Sequence, residues 1–309
     1  MAYCLADKLV IGVSSRALFD LSVENDIFER EGLEAYRSYQ MEHEHTVLKP
    51  GPGFGLIQSL LDLNRLSERG ERVEVIIMSR NSPDTSLRVF HSLEYYGLAI
   101  TRAVLASGAP LAPYLEAFQT DLFLSACEED VQAAIDSGIA AGIICGSRIR
   151  SYERNKMNQI RIAFDGDAVL FSDDSERIFK EQGLEAFEKN EQLYAEAPLA
   201  EGPFARFLRI VSNIQKEFEP QNAPIRTALV TARCAPAHER VIKTLRSWGV
   251  RIDEAFFLGG IAKKDVLKAF GAQIFFDDQL VHTLGAAEVV PAARVPGRRL
   301  PGRPENQAG

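Results

Sequence analysis

Residues 161–170 read Arg-Ile-Ala-Phe-Asp-Gly-Asp-Ala-Val-Leu, an apolar run that delivers Asp165 and Asp167 two positions apart and then resumes as a hydrophobic stretch. The alternating and β-branched residues before Asp165 suit a short buried strand, and Gly166 lets the backbone turn sharply at its carboxyl end. In an open α/β sheet, the carboxyl ends of the strands line the crevice where ligands bind. Two carboxylates so close repel each other unless a cation, a shared proton or a substrate's counter-ion intervenes. A magnesium ion, which prefers carboxylate and water oxygens, is the resolution that fits best. Taken alone, Asp-Gly fits a solvated hairpin turn equally well.

Three later stretches decide between these readings. Thr227–Thr231 (Thr-Ala-Leu-Val-Thr) is a second apolar strand ending in a hydroxyl, followed by Ala232 and Arg233, so that a phosphate would meet Thr231 and nearby backbone N–H donors. Ala255–Leu258 leads into Gly259, Gly260 and Lys263, and Gln273–Phe276 leads directly into Asp277 and Asp278. Nucleophile, hydroxyl, lysine and carboxylate pair follow four apolar strands in that order, which is far more specific than any one of them.

With these residues in hand, the chain resembles the haloacid dehalogenase-like phosphohydrolases, whose first motif is Asp-x-Asp-x-(Thr/Val), here Asp165-Gly166-Asp167-Ala168-Val169. Within that superfamily it looks most like the cytosolic 5'-nucleotidase type I family. The stretches that carry this are 163–177, Leu-Val-Thr-Ala-Arg at 229–233, Thr-Leu-Arg-Ser-Trp-Gly at 244–249, Phe-Phe-Asp-Asp-Gln at 275–279 and Ser-Ser-Arg-Ala-Leu-Phe at 14–19.

The resemblance implies magnesium-dependent hydrolysis of nucleoside 5'-monophosphates. Asp165 would be the nucleophile that forms an aspartyl-phosphate. Asp167 would protonate the leaving oxygen and then activate water. Thr231 would hold a phosphoryl oxygen, and Lys263 would neutralise charge, with the adjacent Lys264 as its rival. Asp277 and Asp278 would complete the magnesium site with Asp165 and the main-chain carbonyl of Asp167. Gly166, Ala232 and Arg233 are expected against the substrate's phosphate. Phe171, with Phe187, Tyr194 and Phe204, is a candidate for stacking on the base. A phosphatase for a sugar phosphate or other small monoester, or a nucleotide-sensing protein with incidental hydrolysis, remains the alternative, because the motifs specify the phosphoryl chemistry and not the leaving group.

The first half of the chain reads as a worn copy of the second. Ile11–Tyr36 aligns without a gap on Ile162–Phe187, sharing Ala17/Ala168, Phe28/Phe179 and Gly32-Leu33-Glu34-Ala35 with Gly183-Leu184-Glu185-Ala186. One residue's slip later, Arg88-Val89 pairs with Arg240-Val241 and Gly108 with Gly260. Such long registers argue for duplication. At the site positions Ser14 stands for Asp165, Arg16 for Asp167, Ser79 for Thr231, Leu111 for Lys263 and Ser125-Ala126 for Asp277-Asp278. The amino half is therefore expected to be pseudo-catalytic, with Arg16 suited to an anion such as a regulatory nucleotide's phosphate.

The expected fold is α/β, with two tandem Rossmann-like, haloacid dehalogenase-like units from an internal duplication. Residues 1–150 would form the degenerate half and 151–296 the catalytic half, with a small helical cap at about 172–221. The stretch 147–158 reads as the crossing between halves, and the tail from Arg294, above all 297–309, as disordered.

The 309 residues suffice for two domains, and 46% hydrophobic residues can fill their cores. A net charge of −8 disfavours a nucleic-acid partner. The apolar run Leu9–Val13 is too short for a signal or a membrane span. The four cysteines, Cys4, Cys127, Cys145 and Cys234, show no metal or redox spacing, as expected of reduced thiols in a cytoplasmic protein. Glu42-His43-Glu44-His45 lacks a second ligand cluster in the sequence. Association into a homo-oligomer is left open.

Overall fold

The computed structural model describes residues 4–66, 70–145 and 159–299. The first half runs β1 (Leu9–Val13), α1 (Ser15–Leu18), β2 (Phe19–Asp20), α2 (Ser22–Glu31), α3 (Leu33–Glu42), β3 (Lys49–Pro50), α4 (Phe54–Leu66), β4 (Val73–Ser79), α5 (Leu87–Tyr96), β5 (Arg102–Leu105), α6 (Ala112–Ala117), β6 (Leu122–Ser125), α7 (Glu128–Asp136) and β7 (Ala140–Cys145). The second half runs β8 (Ile160–Phe164), α8 (Asp174–Gln182), α9 (Leu184–Leu193), α10 (Ala205–Gln215), β9 (Ile225–Thr231), α11 (His238–Ser247), β10 (Glu254–Phe257), α12 (Lys263–Phe270), β11 (Ile274–Asp277), α13 (Leu280–Ala287) and β12 (Ala292–Arg294).

Ten of these strands make one sheet in the order β10-β9-β8-β11-β12-β7-β6-β1-β4-β5. Pairing is parallel except at one seam, where β12 meets β7 antiparallel through Ala292 with Cys145, Ala293 with Ile144 and Arg294 with Ile143. The strand order is thus β5-β4-β1-β6-β7 on one side of the seam and β10-β9-β8-β11-β12 on the other. The molecule is a mixed α/β protein with a large, mostly parallel sheet flanked by helices.

Strands buried on both faces explain the unbroken apolar runs. All seven residues of β4 are buried, and in β9 only Arg226 is partly exposed. Helix α10 presents Phe207, Leu208, Val211 and Ile214 on one stripe, all buried, as a helix lying on a sheet requires. Within the segment expected as a cap, residues 205–215 pack on the sheet, whereas helices α8 and α9, over 174–193, pack chiefly on each other. The first half has the same pair in α2 and α3.

One hydrophobic cluster runs through both halves, including Leu9 and Phe54 on one side and Phe164, Phe207 and Phe276 on the other. Polar contacts cross as well. Arg72 bonds Glu217 at 3.2 Å, Gln273 donates to Ser59 Oγ at 2.8 Å, and Arg294 meets Glu128 at 2.5 Å.

The carboxyl-terminal segment departs from expectation over 294–299. Arg294 lies in β12, Val295 is fully buried, Gly297 O accepts from Gln132, and Arg299 N donates to Asp136 Oδ1 at 2.7 Å. An apolar-poor sequence is held here by hydrogen bonds to α7 rather than by a periodic face. Residues 300–309 and the proposed crossing at 147–158 lie outside the described residues. Among the described residues no helix is long and apolar enough to cross a membrane.

Candidate active site

The acidic residues converge because their strands are neighbours. β8 lies between β9 and β11, so the loop after Phe164, the end of β9 at Thr231 and the end of β11 at Asp277 meet at one edge. Asp165 is anchored there by its N–H, which donates to Phe276 O at 2.8 Å. Lys263, the first residue of α12, inserts its ammonium between Asp165 Oδ1 at 2.7 Å and Asp277 Oδ2 at 2.6 Å. Lys263 is buried, whereas Lys264 is turned outward to Glu288, which settles which lysine faces the carboxylates.

Asp277 is fully buried, and its Oδ1 accepts the N–H of Gln279 at 2.8 Å. Asp165, Asp277 and Asp278 each bring an oxygen within 4.8 Å of the others, a grouping able to hold a metal ion. Charge in this cluster is unbalanced. Burial, followed by the neighbouring Asp277 and Asp167, pushes Asp165 above the ordinary carboxylate range, although Lys263 pulls the other way. Burial, with Glu176, Asp165 and Asp277 nearby, pushes Asp278 up to about 8. Asp278 Oδ1 is buried and has no hydrogen-bond partner among the described residues. Burial raises Asp277 too, but His282 and Lys263 outweigh it and leave this carboxyl low. Burial alone would lower Lys263, yet its two carboxylate partners hold it above its usual range. One buried lysine cannot compensate three carboxylates, and the donor set is the all-oxygen kind that a hard divalent cation takes.

Asp167 points elsewhere. Between Gly166 and Leu170 the chain makes a wide turn closed by Phe171 N–H on Gly166 O at 2.9 Å, with Asp167 extended and Ala168 left-handed at φ 59°. That swing carries the Asp167 carboxylate onto Arg233, which grips both oxygens at 2.6 and 2.8 Å. The remaining arm of Arg233 bonds Glu191 of α9, and its face lies 5.2 Å over the Phe187 ring. Glu191, 1% exposed, also takes Arg240 at 2.9 Å and Ser175 Oγ at 2.9 Å. Burial raises Glu191, but Arg233, Ser175 and Arg240 together outweigh it and hold its carboxyl below the usual range.

Thr231 is buried beside Gly166, and its Oγ1 accepts the N–H of Arg233 at 3.2 Å. Ala232 is exposed at the same edge. Arg233, expected against the phosphate, spends its side chain and N–H within the protein. Phe171, expected against the base, lies in the core. It is fully buried, packs 5.5 Å from Trp248 and presents no face to a ligand. Phe204 is likewise core. Glu191 and Arg240 were not singled out from the sequence. The signal lay in the expected register between the halves, where Glu191 falls on Gln40 and Ser175 on Glu24. In the first half Arg88 pairs with Glu24 at 2.6 Å, so the same guanidinium is balanced by a carboxylate from the other helix.

Away from this edge, Glu44, His45 and His91 also bring a ligand atom each within 4.8 Å of one another, His91 supplying what the sequence around His45 lacked.

A buried lysine bridging carboxylates thus stands at the carboxyl ends of parallel strands, where open α/β sheets bind their ligands. A family model described as 5'-nucleotidase matches residues 1–300, and the chain belongs to that family. It is 42% identical over 291 residues to human cytosolic 5'-nucleotidase 1B, covering 91% of this chain and 47% of that one, so it spans about half the length of that relative. Among solved structures, a putative universal stress protein from Pseudomonas aeruginosa UCBPP-PA14 aligns over 94% of both chains at 7% identity with a TM-score of 0.36.

Proposed function

We propose that this chain hydrolyses nucleoside 5'-monophosphates to nucleoside and phosphate. The observation that carries the reading is Lys263 held between Asp165 and Asp277 with Asp278 beside them. Asp165 is the nucleophile. An oxygen of its carboxylate bonds to phosphorus as the phosphorus–5'-oxygen bond breaks, giving an aspartyl-phosphate. Asp167 delivers a proton to the departing oxygen, then takes one from the water that attacks phosphorus and frees Asp165. Lys263 and the Thr231 hydroxyl offset and orient the charge on the phosphoryl oxygens.

Magnesium fits the donor set, with Asp165, Asp277, Asp278 and the main-chain carbonyl of Asp167 as its holders. When bound, it would neutralise the clustered carboxylates and polarise the phosphoryl group. The clamp of Arg233 on Asp167 marks a resting arrangement. An arriving phosphate, itself an anion, competes for Arg233 and releases Asp167 for proton transfer.

The halves are read as a duplicated pair, 1–150 and 151–296, with α8 and α9 as the cap of the second. The matching strand orders and the shared residue register support this. The cytosolic relative favours the same compartment here.

The test is phosphate release from AMP, IMP, CMP, UMP and dTMP beside several sugar phosphates, with magnesium or with EDTA, by the native chain and by Asp165→Asn. Magnesium-dependent release from nucleotides that vanishes in Asp165→Asn is expected. A wide preference for a sugar phosphate would overturn the substrate class, and release surviving in Asp165→Asn would overturn the nucleophile.

A further inference from the structure

The carboxyl ends of β1, β4, β5 and β6 surround a cavity of about 770 Å³. This is the first half's own crevice, in the place that the acidic cluster takes in the second, and its volume lies in the range of small-molecule sites. The backbone frame is shared. Ser125 Oγ accepts the N–H two residues on at 3.1 Å, as Asp277 Oδ1 does, and Ser79 Oγ accepts the N–H of Asn81 at 3.1 Å, as Thr231 Oγ1 does for Arg233.

The charge is not shared. No carboxylate of the second site is kept here: serine stands for Asp165 and Asp277, alanine for Asp278 and arginine for Asp167. The other cations on the wall are matched internally, Arg80 by Asp130 at 2.7 Å and Arg37 by Asp84 at 2.6 Å. Glu24 is matched by Arg88, which leaves Glu34 as an exposed acid at the rim. Arg16 is exposed on the cavity wall and has no carboxylate within ion-pair distance among the described residues. Beyond it, Phe28, Leu33 and the Tyr36 ring, from α2 and α3, make an apolar side to the cavity.

We propose that this crevice is a second, non-hydrolytic binding site for a phosphomonoester bearing a planar ring, with the phosphate at Arg16 and the ring against Phe28 and Tyr36. The choice of phosphate over another anion rests on reading the second half as a phosphate site, since the two share the backbone frame. With serine in place of Asp165 and leucine in place of Lys263, the bound ester meets neither a carboxylate nucleophile nor the lysine, and leaves unchanged.

The probe is AMP, offered in magnesium to the full-length Asp165→Asn chain in equilibrium dialysis, with hydrogen exchange to locate it. Two AMP per chain are expected, with new protection over 14–37 and 79–85 beside that around Thr231. Adding Arg16→Glu should leave one AMP per chain and abolish only the first-half protection. Arg16→Lys, which keeps the charge, should weaken first-half binding by only about tenfold or less. A single AMP per chain with no protection over 14–37 overturns the proposal, as does equal first-half binding by Arg16→Lys and Arg16→Glu. Phosphate release by the native chain is read separately. Protection over 14–37 in a chain that releases no phosphate defeats the catalytic reading and leaves the second site standing.

Discussion

Asp278 sets the pH behaviour of the metal-free chain. Its carboxyl keeps a proton to about pH 8 when folded, against an ordinary value of 3.8, and Asp165 moves in the same direction. The folded state binds these protons more tightly than the unfolded state does. The stability they bring is therefore complete below about pH 4 and is lost as pH rises through about 8. In EDTA the melting temperature should fall by a few degrees between pH 6 and 8, and magnesium should remove much of the fall. A melting temperature that is flat or rising over that window in EDTA would contradict the cluster's charge balance. For turnover, Asp165→Asn should cost about 10³-fold or more in kcat, with AMP binding retained. Glu191→Gln removes the charge that balances buried Arg233 and partly buried Arg240 and should destabilise the chain by about 3 kcal/mol, read as a lower urea midpoint. The residues at strand ends were legible in sequence because an apolar run marks the strand and the polar residue after it marks the crevice. Glu191 was not, because a charge buried by tertiary packing looks, in a Glu-rich helix, like any solvated one.

At the scale of elements, strands β8, β9 and β11 could be read nearly to their ends, since burial on both faces leaves them mostly apolar. Over 172–221 the helix boundaries were not legible, for the opposite reason. A charged stretch hides the moment at which helices stop standing clear of the sheet and start lying on it, and only the stripe of α10 marks that moment. Gly202 sits at this junction. A Cβ there would run into the carbonyl oxygens of Phe171 and Val169, and Gly51 is pressed in the same way against the backbone of Leu18 and Phe19. Gly202→Ala should cost about 1–3 kcal/mol because backbone, not a pliant side chain, must give way. Chemical denaturation would show this, and an unchanged midpoint would mean that the turn at 169–171 is freer than its packing implies.

At the scale of the whole molecule, the antiparallel seam and the shared hydrophobic cluster tie the halves into one body. Calorimetry should therefore record one unfolding transition whose van't Hoff and calorimetric enthalpies agree, and two resolved transitions would show that the halves melt separately. Ala293→Glu, at a fully buried seam position, should lower the stability of the whole chain and not of one half. The seam between the halves was not legible in the sequence, because the pairing of β7 with β12 involves only the three residues Ala292–Arg294 on one side. That pairing has a geometric outcome. Parallel half-sheets joined antiparallel point their carboxyl ends in opposite directions, so the two crevices open at opposite margins of the molecule. Occupants of the two can never touch or compete for one entrance, and if either is to feel the other, the message must travel lengthwise, as a slide of strand upon strand across the seam.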